Sequence, residues 1–180
     1  MQEPSPRPML LAFGSNLGDR VGNLCLSVKR LETAGIHLEA LSSVFETPPI
    51  GHLKQPPFLN MVASASTHLP PRGVLSIFHA VEEKAGRRRE FPNAPRTLDL
   101  DLLFFDGWIV REKDLQVPHP RWRERSFVVR PLVEIAPYLR DPETGWQVHE
   151  VARFWPMEPQ EIQMALSPEA FQKALREWKE

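Results

Sequence analysis

Residues 98–105 form an apolar run of leucine and phenylalanine that is interrupted twice, at Asp99 and Asp101. The run indicates a buried strand, and the i, i+2 spacing places both carboxylates on one face of it. A buried carboxylate without a partner is strongly unfavourable, so this face must be solvated, paired with cations or bound to metal. Hard divalent cations suit it best, because Mg²⁺ prefers one or two carboxylates together with water and substrate phosphates. Two such carboxylates can hold two ions for phosphoryl transfer, whereas a solvated edge strand is the competing interpretation.

An arginine-rich segment punctuated by proline, residues 86–96, comes directly before this strand. It is too irregular for a helix or a strand, and it predicts a cationic loop beside the acidic pair. Nine of the sixteen arginines of the chain lie between Arg87 and Arg130. Guanidinium groups in such a place suit a polyphosphate substrate, because they neutralise charge that develops on transferring oxygens. A charged loop that is simply solvated is the alternative.

The totals of the chain exclude several classes of protein. A length of 180 residues predicts a single domain over residues 1–180, with a loose tail at 1–7 and a C-terminal extension at 146–180 packed on the domain. The net charge of -1 gives no general attraction to nucleic acid or to anionic lipid. No apolar run reaches the length of a membrane span, and prolines interrupt the beginning of the chain where a signal peptide would need apolar residues. We therefore expect a cytoplasmic monomer, and the single cysteine, Cys25, excludes an internal disulfide.

The hydrophobic periodicity predicts the order strand, helix, strand, strand, helix, strand. The predicted elements are a strand at 9–13, a helix ending at Gly35, strands at 36–46 and 58–68, a helix from Pro70 to Gly86 and the acidic strand. This order is typical of an α+β fold, the ferredoxin-like split sandwich, in which helices pack on one face of an antiparallel sheet. We expect three additions: a hairpin at Asp106-Gly107 that returns through residues 108–110, a segment at 127–136 that begins as strand and continues as helix, and a C-terminal helix after Ser167-Pro168.

Two further patterns have both a functional and a structural interpretation. Phe58, Asn60 and Val62 share one face of a predicted strand, where an aromatic ring stacks on a flat heterocycle while a carboxamide binds an amide-like edge. A purely structural asparagine explains the same pattern. The turn at residues 14–18 stands between a strand and a helix and either binds phosphate or only makes the turn. His119 has no second histidine at ligand spacing, which argues against a metal ligand.

Several separated motifs, taken together and in order, resemble the hydroxymethyl-dihydropterin pyrophosphokinase family of folate biosynthesis. These motifs are Phe13-Gly14-Ser15-Asn16-Leu17-Gly18, Thr47-Pro48-Pro49-Ile50-Gly51, Gln55-Pro56-Pro57-Phe58-Leu59-Asn60, Pro95-Arg96-Thr97-Leu98-Asp99-Leu100-Asp101 and Val117-Pro118-His119-Pro120 leading to Arg125 and Phe127. The resemblance implies transfer of a pyrophosphoryl group from ATP to the hydroxymethyl group of 6-hydroxymethyl-7,8-dihydropterin, giving AMP. Two readings compete with it: another two-metal enzyme such as a nucleotidyl transferase, and an RNA-binding module of the same fold.

The resemblance also implies the roles of individual residues. The expected catalytic residues are Asp99 and Asp101, which would hold two Mg²⁺ ions, and Arg96 and Arg87, which would offset charge on the triphosphate. The expected pterin residues are Thr47, Pro49, Gly51, Phe58, Asn60 and Phe127. The expected ATP residues are His79, Glu82, Arg87, Arg96, Leu102, His119 and Arg125, although a salt bridge is the structural alternative for Glu82. Asn93 departs from the family, since some members carry tryptophan there.

Overall fold

The computed structural model describes residues 5–49, 55–87, 94–156 and 161–179. Its strands are β1 (Arg7–Ser15), β2 (Ile36–Leu41), β3 (Val44–Thr47), β4 (Phe58–Thr67), β5 (Asp99–Phe105), β6 (Val110–Arg111), β7 (Gln116–Val117) and β8 (Gln163–Leu166). Its helices are α1 (Arg20–Thr33), α2 (Pro71–Lys84), α3 (Ser126–Ile135), α4 (Val148–Phe154) and α5 (Pro168–Glu177).

The main sheet has the strand order β5-β1-β4-β3-β8, and β2 pairs with β4 beyond the end of β3. Every pairing is antiparallel. The predicted α+β fold with helices packed on an antiparallel sheet is therefore confirmed. The order also brings the ends of β1, β4 and β5 side by side, where Gly14 lies opposite both Asn60 and Asp99.

Helices cover both faces of this sheet, whereas the sequence predicted helices on one face. Residues of α1, α2 and α5 pack on one side, where Leu24, Phe78 and Phe171 belong to the same apolar core as Phe13 of β1. The apolar face of α3 and α4 packs on the other side, against β1, β4 and β5. Because β1 lies between two apolar layers, its residues are apolar on both faces rather than alternating with polar ones.

The strand predicted at 36–46 is divided into β2 and β3 by two buried serines. The Ser42 hydroxyl accepts a hydrogen bond from Val62 N at 2.9 Å and donates to Ser43 O at 2.8 Å. A side chain therefore replaces a backbone partner at this point, so the prediction of one continuous strand was wrong.

The predictions for the segment after β5 were partly wrong. Asp106 and Gly107 do form a turn, with φ of 48° and 68°, but β6 pairs with β7 instead of returning along β5. The reason is that Leu103 O on β5 accepts a hydrogen bond from His119 N at 2.9 Å. Residues 127–136 contain no strand: the helix α3 starts at Ser126, and packing of its apolar face on the sheet outweighs the β-propensity of its valines.

No helix within the described ranges has the length and apolar character needed to cross a membrane.

Candidate active site

A pocket opens at the ends of β1, β4 and β5, where the sequence predicted the site. It contains eight of the predicted site residues: Thr47, Phe58, Asn60, Arg96, Asp99, Asp101, Arg125 and Phe127. Ala12, Phe13, Gly14, Pro48, Gln55 and Arg121 complete the lining. The acidic pair and the aromatic and amide side chains thus share one cavity, although they come from separate segments of the chain.

Asp99 and Asp101 lie on the same face of β5, because Leu100 between them is buried in the core. The Asp99 carboxylate is paired with Arg87 and Arg96, each at 2.7 Å. The Asp101 carboxylate lies 3.2 Å from Arg125 Nη1 and 3.8 Å from His119 Nε2. Cations from three parts of the chain therefore compensate the two carboxylates.

Burial shifts the pKa values of both Asp101 and His119. It raises the pKa of Asp101 above its ordinary value, and the neighbouring charge of Asp99 adds to this rise, while Arg125 opposes it. Burial lowers the pKa of His119 to about 4, with a further contribution from the charge of Arg125. His119 is therefore neutral at pH 7, and its Nδ1 accepts a hydrogen bond from Arg121 N at 3.1 Å.

The acidic pair fits Mg²⁺ by the chemistry of its donors. Two half-buried carboxylates converge on one pocket, and their mutual repulsion favours a cation between or beside them. Within the described parts of the chain, no cluster of three or more His, Cys, Asp or Glu side chains is placed to hold a metal ion. The pair therefore suits an ion that takes its remaining ligands from water and from substrate phosphates, as Mg²⁺ does.

Glu82 acts on this site through its neighbours. Its side chain lies near the end of α2, is 3% exposed, and accepts a hydrogen bond from Leu100 N at 2.9 Å. It also forms an ion pair with Arg87, which in turn reaches Asp99. The salt bridge that was the structural alternative for Glu82 is thus present, and it holds Arg87 against the acidic strand.

The opposite side of the pocket is built from β3 and β4. Thr47 and Phe58 are partners in the register of these strands, and Asn60 Nδ2 donates to Thr47 Oγ1 at 2.8 Å. This bond fixes the orientation of a carboxamide that is only 6% exposed. Gly14 allows its approach, since a Cβ at that position would lie 3.2 Å from Asn60 Oδ1. Phe58 and Phe127 line the same pocket, which leaves room for a flat ring beside the amide.

Asn16 links the two sides, a role that the sequence did not indicate beyond its place in a turn. Its backbone N donates to Arg96 O at 3.0 Å, and its Oδ1 accepts from Arg96 N at 2.7 Å. Its Nδ2 donates to Gln55 Oε1 at 2.9 Å and to Pro56 O at 3.1 Å. The segment that carries Arg96 and the segment that leads to Phe58 are thereby held to one buried side chain. Arg121 also lines the pocket and was not predicted, because alternating arginines in a loop do not indicate which of them faces a site.

Some predicted site residues lie apart from the pocket lining. His79 is exposed on α2, Leu102 is buried in the core between β5 and the helices, and Pro49 is buried beside the pocket-lining Pro48. Gly51 and Asn93 lie outside the described residues, as does most of the arginine-rich segment, residues 88–93.

Comparison with known proteins gives the family. The family model described as 7,8-dihydro-6-hydroxymethylpterin-pyrophosphokinase (HPPK) matches residues 10–137. The 2-amino-4-hydroxy-6-hydroxymethyldihydropteridine pyrophosphokinase of Bacillus subtilis (strain 168) is 39% identical over 147 residues, which is 81% of this chain and 88% of that protein. The folic acid synthesis protein FOL1 of Dictyostelium discoideum is also 39% identical, over 132 residues, but this chain covers only 20% of its length.

A solved structure supports the fold independently of sequence. A chain of wild-type Plasmodium falciparum HPPK-DHPS matches with a TM-score of 0.67 at 14% identity, covering 84% of this chain and 42% of that chain. The family match over most of the sequence and the long alignment with the Bacillus subtilis protein establish that this chain belongs to the 7,8-dihydro-6-hydroxymethylpterin-pyrophosphokinase family.

Proposed function

We infer that the chain transfers pyrophosphate from ATP to the hydroxymethyl group of 6-hydroxymethyl-7,8-dihydropterin in folate biosynthesis. The observation that carries this inference is one pocket whose lining combines a carboxamide and two aromatic rings with an acidic pair that is paired with arginines. One half suits a flat heterocycle with amide-like edges, and the other suits a metal-bound polyphosphate. Membership in the family supports the same reaction.

The pterin half selects and orients the acceptor. Asn60 presents a carboxamide whose orientation is set by Thr47, and it would pair with the pyrimidinone edge of the pterin. Phe58 and Phe127 would stack on the two sides of the ring. We include Pro49 and Gly51 in this half because of the family resemblance.

The phosphate half binds and compensates charge. We propose that Asp99 and Asp101 hold two Mg²⁺ ions, which when bound would neutralise phosphate oxygens and favour attack at phosphorus. Arg87 and Arg96 are held at Asp99 in this structure, so they are in place to pair with phosphates of ATP. Arg125 and His119 lie at Asp101 in the same way. The other residues that we assign to the ATP side are His79, Glu82 and Leu102.

The bond changes define the product. The pterin hydroxyl oxygen forms a bond to the β-phosphorus of ATP, and the bond from that phosphorus to the oxygen bridging to the α-phosphorus breaks. AMP leaves with the bridging oxygen, and the hydroxyl proton is released. The chain would thus act by positioning the two reactants and compensating charge, without a covalent intermediate.

The test is an incubation of the purified protein with ATP, Mg²⁺ and 6-hydroxymethyl-7,8-dihydropterin, with nucleotides separated by chromatography. We expect AMP that forms only when the pterin is present. ADP in its place would mean ordinary phosphoryl transfer and would contradict the inference, and so would AMP that forms equally without the pterin.

The proposal treats residues 1–180 as one pyrophosphokinase domain that acts as a cytoplasmic monomer without a nucleic-acid or membrane partner. These points are predictions from the sequence, and size-exclusion chromatography with light scattering tests the monomer directly.

A further inference from the structure

Arg20 connects three segments of the chain at the edge of the pterin half of the pocket. It is the first residue of α1, and its Nη1 lies 2.8 Å from Glu46 Oε2 and donates to Pro57 O, also at 2.8 Å. Glu46 directly precedes Thr47, and Pro57 directly precedes Phe58. One guanidinium group therefore binds the chain on both sides of residues 48–56.

The position of this cation is unfavourable for the helix that carries it. The N-terminus of α1 is already capped by Asp19, whose carboxylate accepts a hydrogen bond from Gly22 N at 2.9 Å. A positive charge in the first turn opposes the helix dipole, so the helix gains no stability from arginine at this position. The pair with Glu46 adds little on its own, because the two side chains are 30% and 40% exposed.

The contacts of Arg20 matter because the residues that follow Glu46 and Pro57 in the chain, Thr47 and Phe58, belong to the pocket. Thr47 and Phe58 are opposite each other in the register of β3 and β4, and both line the pocket. Thr47 orients Asn60, and Phe58 supplies a ring face. Thr47 and Phe58 are the last pair of this register, so contacts to the residues immediately before both of them keep the end of the ladder from fraying.

We propose that Arg20 is a positioning residue that braces the end of the β3–β4 pairing at Thr47 and Phe58 and thereby holds the wall of the pterin site that these two residues form. It touches no reacting atom: it acts through Glu46 and Pro57. The proposal rests on the proposed pterin function of this pocket, and it concerns the affinity for the acceptor rather than the transfer of pyrophosphate.

The experiment compares kcat and KM for both substrates in the wild type and in Arg20→Gln, Arg20→Lys and Arg111→Gln. Arg111 is the matched control, because it is an arginine paired with one carboxylate, Glu143 at 3.1 Å, and it does not line the pocket. We expect Arg20→Gln to raise KM for the pterin about tenfold, while KM for ATP and kcat at saturation stay within about twofold of the wild type. Arg20→Lys should raise KM less, since an ammonium retains charge and donors but not the fork of the guanidinium. Arg111→Gln should leave all constants unchanged.

Thermal denaturation of each variant separates positioning from loss of structure. An unchanged pterin KM in Arg20→Gln would overturn the proposal, and so would a lower melting temperature accompanied by equal rises in both KM values. If Arg20→Gln does not fold, Arg20→Lys decides, and a pterin KM equal to that of the wild type rejects the positioning role. A wild type that forms no pterin-dependent AMP would instead refute the proposed function, before Arg20 is tested at all.

Discussion

His119 should make the stability of the protein depend on pH in a way that one substitution removes. Its side chain is 17% exposed, and its pKa is lowered from 6.5 to about 4. A lowered pKa means that the unfolded chain takes up the proton first as the pH falls. The stabilising contribution is therefore complete above about pH 6.5 and is lost as the pH falls from there towards pH 4. With a His119 pKa of 6.5 in the unfolded chain and about 4 in the folded protein, the unfolding free energy decreases by about 2 kcal/mol between pH 7.5 and pH 5.

The assay is urea unfolding of the wild type and of His119→Gln in Mg²⁺-free buffer at pH 7.5, 6 and 5. As the pH falls from 7.5 to 5, the unfolding free energy of the wild type should decrease by about 2 kcal/mol relative to that of the variant. Gln is close to His in size, so the burial and the neighbouring Asp99 that raise the pKa of Asp101 are retained in the variant, and the contribution of Asp101 is common to both proteins. Equal m-values serve as the control that both proteins unfold in the same transition. A difference that is constant at all three pH values would refute the reasoning.

Four further predictions concern the pocket. Asp101→Ala should reduce AMP formation by roughly a hundredfold or more with an unchanged circular dichroism spectrum, because the proposed Mg²⁺ ions lose a protein ligand and no longer neutralise the phosphates. Asn60→Ala should weaken pterin binding by about 2 kcal/mol and leave ATP binding unchanged, as measured by titration calorimetry. Arg96→Ala should lower kcat more than it weakens binding of ATP, if the guanidinium acts on charge that develops during transfer; steady-state and binding measurements separate the two. Asn16→Ala should lower the urea-unfolding free energy by about 1–3 kcal/mol, since it leaves the partly buried Arg96 N without its side-chain acceptor.

The parts of the fold that were predicted from the sequence are those fixed by local chemistry. Helix α1 begins after a capping Asp19 and ends before Gly35, whose φ of 83° suits glycine, and α2 begins at Pro71. Prediction failed where a distant contact decides the outcome. The bonds of Ser42 to Val62 and Ser43 divide one strand into two, and no periodicity in residues 36–46 indicates them.

The site shows the same division between local and distant information. Asp99 and Asp101 lie on one face of β5 because side chains alternate between the faces of a strand, so the sequence predicted this arrangement correctly. The partner of each carboxylate follows from tertiary structure, because Arg125 reaches Asp101 from a segment 24 residues away. Asn16 depends on distant contacts even more strongly. Its hydrogen-bond partners lie about 40 and 80 residues further along the chain, and the turn motif that contains Asn16 does not indicate them.

The pairing of the carboxylates also explains how so many charged side chains fit into one site. Two acids on one buried strand would repel each other, and three arginines close to that strand would do the same, but together they neutralise most of their charge. In the proposed function, phosphates and Mg²⁺ would supply the same two kinds of charge, so their binding would exchange partners instead of exposing bare ions. Arg87 and Arg96 would then need no large movement, because Glu82 already pairs with Arg87 and Asn16 already binds the backbone of Arg96. Pairing with Asp99 and Asp101 would thus preorganise the cations for the proposed reaction.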